Sequence, residues 1–202
     1  AAAAYSVAAI RHPDAVSIVD ELGSLTFDEV HRRTNALAHA LGDAGVNEGA
    51  GVAIMCRNHR GFVEATVACS KLGAHALFLN TAFAGPQLTE VCEREQPAAI
   101  VYDEEFSGLL REPLRGRMGF LAWSDGNTDR IPTLEELIAS GDHDEVVPPD
   151  SKGRLVILTS GTTGTPKGAN RREPESRDPI AGLLAMIPLR ARERTVIAAP
   201  LF

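Results

Sequence analysis

Short apolar runs alternate with longer stretches of helical period along most of this 202-residue chain, and that alternation restricts it to one class of architecture. Ala15–Asp20 (AVSIVD), Val52–Cys56 (VAIMC), Ala76–Leu79, Ala98–Tyr102 (AAIVY) and Gly119–Trp123 read as strands. Between them lie helical patterns with recognisable ends. Thr26-Phe-Asp-Glu29 is a capping box, Phe27, Val30, Leu37, Leu41 and Ala44 then share one face, and Gly45 supplies the stop. Asn58 is placed to cap a second helix that ends at Leu72 before Gly73. Pro86 suits the first turn of a third, running to about Gln96, and Thr133–Glu136 is a second capping box on a short helix ending near Ser140. A strand–helix–strand repeat returns the chain to the same end of a sheet, so the expected fold is α/β with mostly parallel sheet layers.

Composition removes several functions. With 20 basic and 27 acidic residues the formal charge is −7, which argues against a nucleic-acid partner, because such affinity rests on a basic face. Cys56, Cys69 and Cys92 are far apart and sit in apolar runs, so they read as buried thiols of a reducing, cytoplasmic compartment. There is no CxxC pair and no metal-ligand spacing among the six histidines, so no metal-binding residue is assigned. Every apolar stretch is broken well short of a membrane-spanning length, so no transmembrane segment is expected. Ala1–Ala4 reads as a trimmed start and not as a leader.

Gly141–Gly153 (GDHDEVVPPDSKG) is acidic and then proline-bearing, and reads as a connection between an N-terminal α/β subdomain, 1–150, and the start of a second, 151–202. The near-continuous apolar run Arg154–Thr159 after it fits a strand covered on both faces. That strand leads into Thr159-Ser160-Gly161-Thr162-Thr163-Gly164-Thr165-Pro166-Lys167-Gly168, five hydroxyls, three glycines and a lysine in ten positions. Only two other lysines, Lys71 and Lys152, occur in the chain. Glycines let backbone N–H groups approach phosphate oxygens, hydroxyls donate to them, and an ammonium adds mobile charge. No acid occurs from Ser151 through Arg172, whereas Lys152, Arg154, Lys167, Arg171 and Arg172 do, an anion-tolerant window in an acidic protein. The loop is not a Walker A: Pro166 stands where that motif has its second glycine, and Gly168, not Ser or Thr, follows Lys167.

The string TSGTTGTPKG resembles the phosphate loop of the adenylate-forming enzymes, which include acyl-CoA synthetases, firefly-type luciferases and peptide-synthetase adenylation domains. Leu25–Val46, Val52–Asn80 (with RNHRGFVEATVACSKLGAHALFLN) and Pro86–Asp103 resemble further segments of the same family, and PKGANRR with IPLRARERTVIAAPLF is most similar to bacterial fatty-acyl-CoA ligases. The resemblance implies the N-terminal portion of the family's large domain and a two-step reaction. ATP and a fatty acid give an acyl-adenylate and pyrophosphate, then coenzyme A takes the acyl group as a thioester. It implies that Thr159, Ser160, Thr162, Thr163, Thr165 and Lys167 grip the β- and γ-phosphates, helped by Mg²⁺, with Gly161, Gly164 and Gly168 shaping the backbone.

The family's adenine and ribose segments and its small C-terminal domain, with the catalytic lysine, have no counterpart up to Phe202, so no catalytic residue is carried over. The chain is expected to be an amino-terminal fragment, inactive alone, whose unpaired edges favour self-association. Relatives acting on aryl acids or loading a carrier protein, and a non-catalytic module, are the alternative readings. Disorder is expected from the loop to about Asp178, a Gly-rich and then charged stretch. Outside the loop the residues read as structural. His31, His39, His59 and His75 are edge or solvated groups, Lys71 serves the dipole at its helix's C-terminus, and Trp123 and the phenylalanines are core. Arg171 and Arg172 form a solvated pair, and the acids Asp103–Glu105 and Asp142–Glu145 occupy loops without chemistry.

Overall fold

The computed structural model describes residues 2–126, 131–159, 167–171 and 193–199. Helix α1 (Ala2–Arg11) precedes a hairpin of β1 (Val16–Asp20) and β2 (Gly23–Thr26), and then come α2 (Phe27–Asp43), β3 (Gly51–Met55), α3 (Arg60–Leu72) and β4 (His75–Phe78). Helix α4 (Gly85–Glu95), β5 (Ala99–Asp103), a 3₁₀ turn at Glu104–Phe106, β6 (Met118–Trp123), α5 (Leu134–Ser140), β7 (Leu155–Thr159) and β8 (Lys167–Arg171) follow. The main sheet has the order β6-β5-β3-β4-β7-β8. Its first five strands are parallel, aligned through Phe120↔Val101, Val101↔Ile54, Ile54↔Phe78 and Phe78↔Ile157, and β8 returns antiparallel to β7. Strands from both sides of the Gly141–Gly153 connection therefore share one sheet.

Alternating side chains feed two cores, as a sheet covered on both faces requires. Val52, Ile54, Phe78, Val101 and Phe120 pack beneath α2, α3 and α5 with Leu37, Leu41, Phe62 and Ile138. Ala53, Met55, Leu77, Ile100 and Tyr102 face the other way, onto Leu88, Val91 and Cys92 of α4. The run in β7 divides the same way: Val156 and Leu158 join the α4 side and Ile157 the other, while Leu155 at the strand's start stays 40% exposed.

Several elements depart from the sequence reading. The strand expected at 15–20 lies outside the main sheet, in the β1–β2 hairpin turned at Gly23. The opening alanines belong to α1, consistent with alanine's helix propensity. The cap of α3 is His59 and not Asn58: His59 is extended, and its Nδ1 accepts from the Gly61 N–H. Lys167–Arg171, within the stretch expected to be disordered, is a strand because β7 offers a free edge to pair with, and the rest of that stretch lies outside the described residues. Trp123 is only partly buried at the end of β6, tilted against the His59 ring at 5.2 Å, whereas Phe62, Phe78, Phe83, Phe106 and Phe120 are core.

The helical layer is crossed by buried charge. Arg33 of α2 bonds Glu64 of α3 (2.5 Å) and also Glu135 of α5. Arg60 reaches back to Asp20 (2.6 Å). Burial pushes the Asp20 carboxyl up, but the bonds from Arg60 outweigh it and hold it below its ordinary value. Lys71 does not lie along the helix end toward solvent. It is 6% exposed, and its Nζ donates to the His31 carbonyl (3.0 Å) and to Asn35 Oδ1 on α2. His31 in turn meets Glu145 (2.8 Å), and Asn35 Nδ2 donates to the His143 carbonyl, so the acidic connection is strapped along α2. The connection then crosses the α3–β4 turn closely. A Cβ on Gly153 would stand 1.9 Å from the Ala74 carbonyl oxygen, and Gly73, at φ +70°, has Ser151 O 2.7 Å from where its Cβ would be. This crossing sets β7 beside β4.

Gly153→Ala is therefore expected to cost about 1–3 kcal/mol and lower Tm by about 2 °C or more, with Gly108→Ala, whose Cβ meets nothing within 4 Å, as a neutral control in thermal unfolding. An unchanged Tm for Gly153→Ala contradicts the close crossing.

A second expectation concerns pH. Burial lowers the Lys71 ammonium to about 8, against the pull of Glu145. Between that value and the unfolded ~10.4 the unfolded chain holds the extra proton, so this group makes stability rise with pH. The buried thiols act oppositely: burial raises Cys69 to about 12 and Cys92 to about 11. Both lie above the unfolded ~8.5, so unfolding releases their protons and stability falls above that pH. The difference in urea midpoint between the wild type and Lys71→Met isolates the lysine, and it should shift in favour of the wild type between roughly pH 7.5 and 10. A difference independent of pH contradicts the buried ammonium.

Candidate functional site

Because β3 to β7 are parallel, their C-terminal residues Met55, Phe78, Asp103, Trp123 and Thr159 all end along one edge of the sheet. In open sheets of this kind ligands bind outside that edge, where adjacent strands send their connections in opposite directions. The strand order creates two such places. The connection from β3 leads to one side and that from β5 to the other, and likewise β4 and β7 diverge.

The glycine- and threonine-rich loop leaves from the second of these. Thr159 pairs with Lys167 and Leu158 with Gly168 across the antiparallel β7–β8 ladder. Of the sequence-predicted binding residues, the structure thus brings Thr159, Lys167 and Gly168 together at the C-terminal edge. Ser160, Gly161, Thr162, Thr163, Gly164 and Thr165 lie outside the described residues.

The cationic window does not converge on this point. Arg154 precedes β7, its backbone N–H donates to His75 Nδ1 (3.2 Å), and its guanidinium lies 3.0 Å from Nε2, at the opposite edge. Burial and the Arg154 charge lower the His75 pKa. Arg171 pairs with Leu155, so it too stands at the far end, about 13 Å from Thr159 at the usual rise per strand residue. Arg172 is outside the described residues. Among the described cations of that window only Lys167 is at the loop.

At the other divergence, between β3 and β5, a polar cluster has formed that the sequence reading passed over. Asp103, read as a loop acid, ends β5 and is 2% exposed. Its Oδ2 accepts from the Arg57 N–H (2.7 Å) and its Oδ1 from His59 Nε2 (2.9 Å). The Arg57 guanidinium bonds Glu105 at 2.9 and 2.8 Å and lies 5.1 Å from the Phe106 ring centre. Cys56 is fully buried beside Asp103, and burial first, then that carboxylate, pushes its thiol well up. Cys56, His59 and Asp103 offer potential metal-ligand atoms within 4.8 Å of one another. The hydrogen bonds oppose that use: Gly61 N–H points at His59 Nδ1, so the single proton of the neutral ring sits on Nε2, the atom facing Asp103. The signal available in the sequence was spacing, since a Cys-Arg-Asn-His tetrapeptide follows one buried strand and Asp103 closes the strand beside it.

A cleft of about 300 Å³ opens at Trp123, between Leu22, Arg60 and Glu135. Its charged walls are already committed, Arg60 to Asp20 and Glu135 to Arg33.

An α/β fold whose parallel strands end along one edge, beside a threonine- and glycine-rich sequence, defines the class. The AMP-binding enzyme family matches residues 6–202, and the chain belongs to that family. It is 30% identical over 195 residues to a feruloyl-CoA synthase of Amycolatopsis sp, covering 94% of this chain and 37% of that protein. It is 26% identical over 172 residues to a medium/long-chain-fatty-acid–CoA/3-oxocholest-4-en-26-oate–CoA ligase of Mycolicibacterium smegmatis, covering 81% of this chain and 31% of the relative. The fold is that of the o-succinylbenzoate coenzyme A synthetase of Bacillus subtilis, solved with ATP and magnesium (TM-score 0.78, 21% identity, 98% of this chain and 50% of that one). The chain therefore spans about a third to a half of the length of these three relatives.

Asp103→Ala should leave the Arg57 N–H and the His59 Nε2–H without acceptors in a buried setting, costing about 2 kcal/mol or more in urea unfolding. A loss below about 0.5 kcal/mol contradicts the role given to this carboxylate.

Proposed function

We propose that this chain carries the ATP-binding part of an ATP-dependent fatty acid–CoA ligase. In that reaction the acid's carboxylate oxygen attacks the α-phosphorus of ATP, pyrophosphate leaves, and the thiol of coenzyme A then displaces AMP from the acyl carbon. The observation that carries the reading is the pinning of Thr159 opposite Lys167 at the C-terminal edge, which fixes both ends of the Ser160–Pro166 loop where a polyphosphate would lie. Magnesium arrives bound to the nucleotide, as part of the substrate. Thr159, Ser160, Thr162, Thr163, Thr165 and Lys167 would donate to the β- and γ-phosphates, with Gly161, Gly164 and Gly168 allowing the backbone N–H groups to approach. Their contribution is to hold the leaving pyrophosphate in line and neutralise its charge. No described residue is assigned a catalytic role, and the 202 residues alone are expected to show no acid-dependent pyrophosphate exchange.

The acid is fatty on the similarity of the arginine-rich 187–202 segment to bacterial fatty-acyl-CoA ligases and of the chain to the Mycolicibacterium enzyme. An aryl acid is the second reading, favoured by the 30% identity to feruloyl-CoA synthase. Three buried, unbridged cysteines support a reducing, cytoplasmic setting. Among the described residues no helix is long and apolar enough to cross a membrane.

In the ligase, Lys167→Ala should raise the KM for ATP or slow adenylation by about tenfold or more, the worth of one charged hydrogen bond, with the urea midpoint unchanged. Unchanged ATP kinetics contradict the assignment.

A further inference from the structure

We propose that Asn58 is a positioning residue that holds the segment 197–199 across the C-terminal edge of the sheet, where it walls the crevice between β3 and β5. Asn58 Nδ2 donates to the Ala199 carbonyl (2.7 Å) and to the Ile197 carbonyl (3.4 Å). These are carbonyls two residues apart on a stretch that bends at Ala199, and a primary amide carries two N–H groups on one nitrogen with which to reach both. Val196 is 89% and Ile197 55% exposed, so burial of these two apolar side chains does not hold the segment there.

The amide is held in position before the segment arrives. Both residues flanking Asn58 are tied to Asp103, Arg57 through its backbone N–H and His59 through Nε2, and the His59 N–H closes a tight turn on the Arg57 carbonyl (3.0 Å). One residue further on, the Arg60 N–H is held by Asp20 Oδ2 (2.9 Å). Because His59 caps α3, the Asn58 side chain is left to reach toward 197–199. A buried carboxylate at the end of β5 thus aims an exposed amide from the end of β3 across the divergence between those two strands. The position is the one at which a sheet of this topology places a ligand, at the same edge as Thr159. Only the identity of what the crevice holds rests on the ligase reading. The clamp itself does not.

Backbone ¹⁵N relaxation of residues 195–199 in the 202-residue chain, without nucleotide, tests the proposal. The wild type should give order parameters near the rigid range, about 0.8, and Asn58→Asp should drop them below about 0.6. Aspartate keeps the size of the side chain but presents an acceptor to two carbonyl oxygens, so a packing role would leave the variant like the wild type. Asn58→Ala should show the same loss, and both variants should keep the wild-type thermal midpoint because Asn58 is exposed. Equal order parameters in wild type and Asn58→Asp, or a wild-type segment already below about 0.6, overturn the clamp. Because no nucleotide is present, either result leaves the ATP kinetics of the Lys167 variant to judge the ligase reading separately.

Discussion

Parallel pairing of β3, β4, β5, β6 and β7 is the constraint on which the rest depends. It brings five strand ends to one edge, and it obliges every connection to cross a face of the sheet before the next strand begins. The helices that make those crossings bury both faces, which is why the strands are apolar at consecutive positions. Gathered at the C-terminal edge are then the start of the threonine-rich loop at Thr159, the Asp103 carboxylate, and the Arg57-Asn58-His59 turn.

Among the described residues, Arg33 and Arg60 meet carboxylates within the helical layer, whereas buried Lys71 and Asp103 are held by neutral hydrogen-bonding groups. Arg33 lies between Glu64 and Glu135, joining α2, α3 and α5, and Arg60 ties the start of α3 to the β1–β2 hairpin through Asp20. Such pairs contribute little net stability, because the desolvation of both ions offsets much of their attraction. The connection to β7 is guided differently, by histidine and asparagine bonds to α2 and then by a glycine crossing too tight for any Cβ. Together these place β7, and so the loop, beside β4.

The fold was largely legible in the sequence, because α/β alternation and capping boxes are local signals. Thr26–Glu29 and Thr133–Glu136 form reciprocal capping bonds, Gly73 is the left-handed C-cap of α3, and Pro86 sits in the first turn of α4. The loop stood out in the sequence for the same reason, its hydroxyls, glycines and lysine being concentrated in ten consecutive positions, and its role is the proposal made above. What escaped were properties fixed by partners distant in sequence. Lys71 became a buried bridge to α2 because its helix face packs there, and Asp103 gained its role from residues 44 to 46 positions earlier. The five-cation window looked coherent along the chain, yet strand direction separates Arg154 and Arg171 from Lys167 by the length of β7. Composition counts charges, and only topology says which end of a strand they occupy.

The central claim is that the loop between Thr159 and Gly168 holds the polyphosphate of a nucleotide at the C-terminal edge. A crystal structure of the chain with magnesium ATP tests it most directly. The account predicts β- and γ-phosphate oxygens within about 2.7–3.2 Å of backbone N–H or hydroxyl groups of that loop. Phosphates seated instead against Arg154 and Arg171 at the opposite edge, with the loop making no contact, would contradict it.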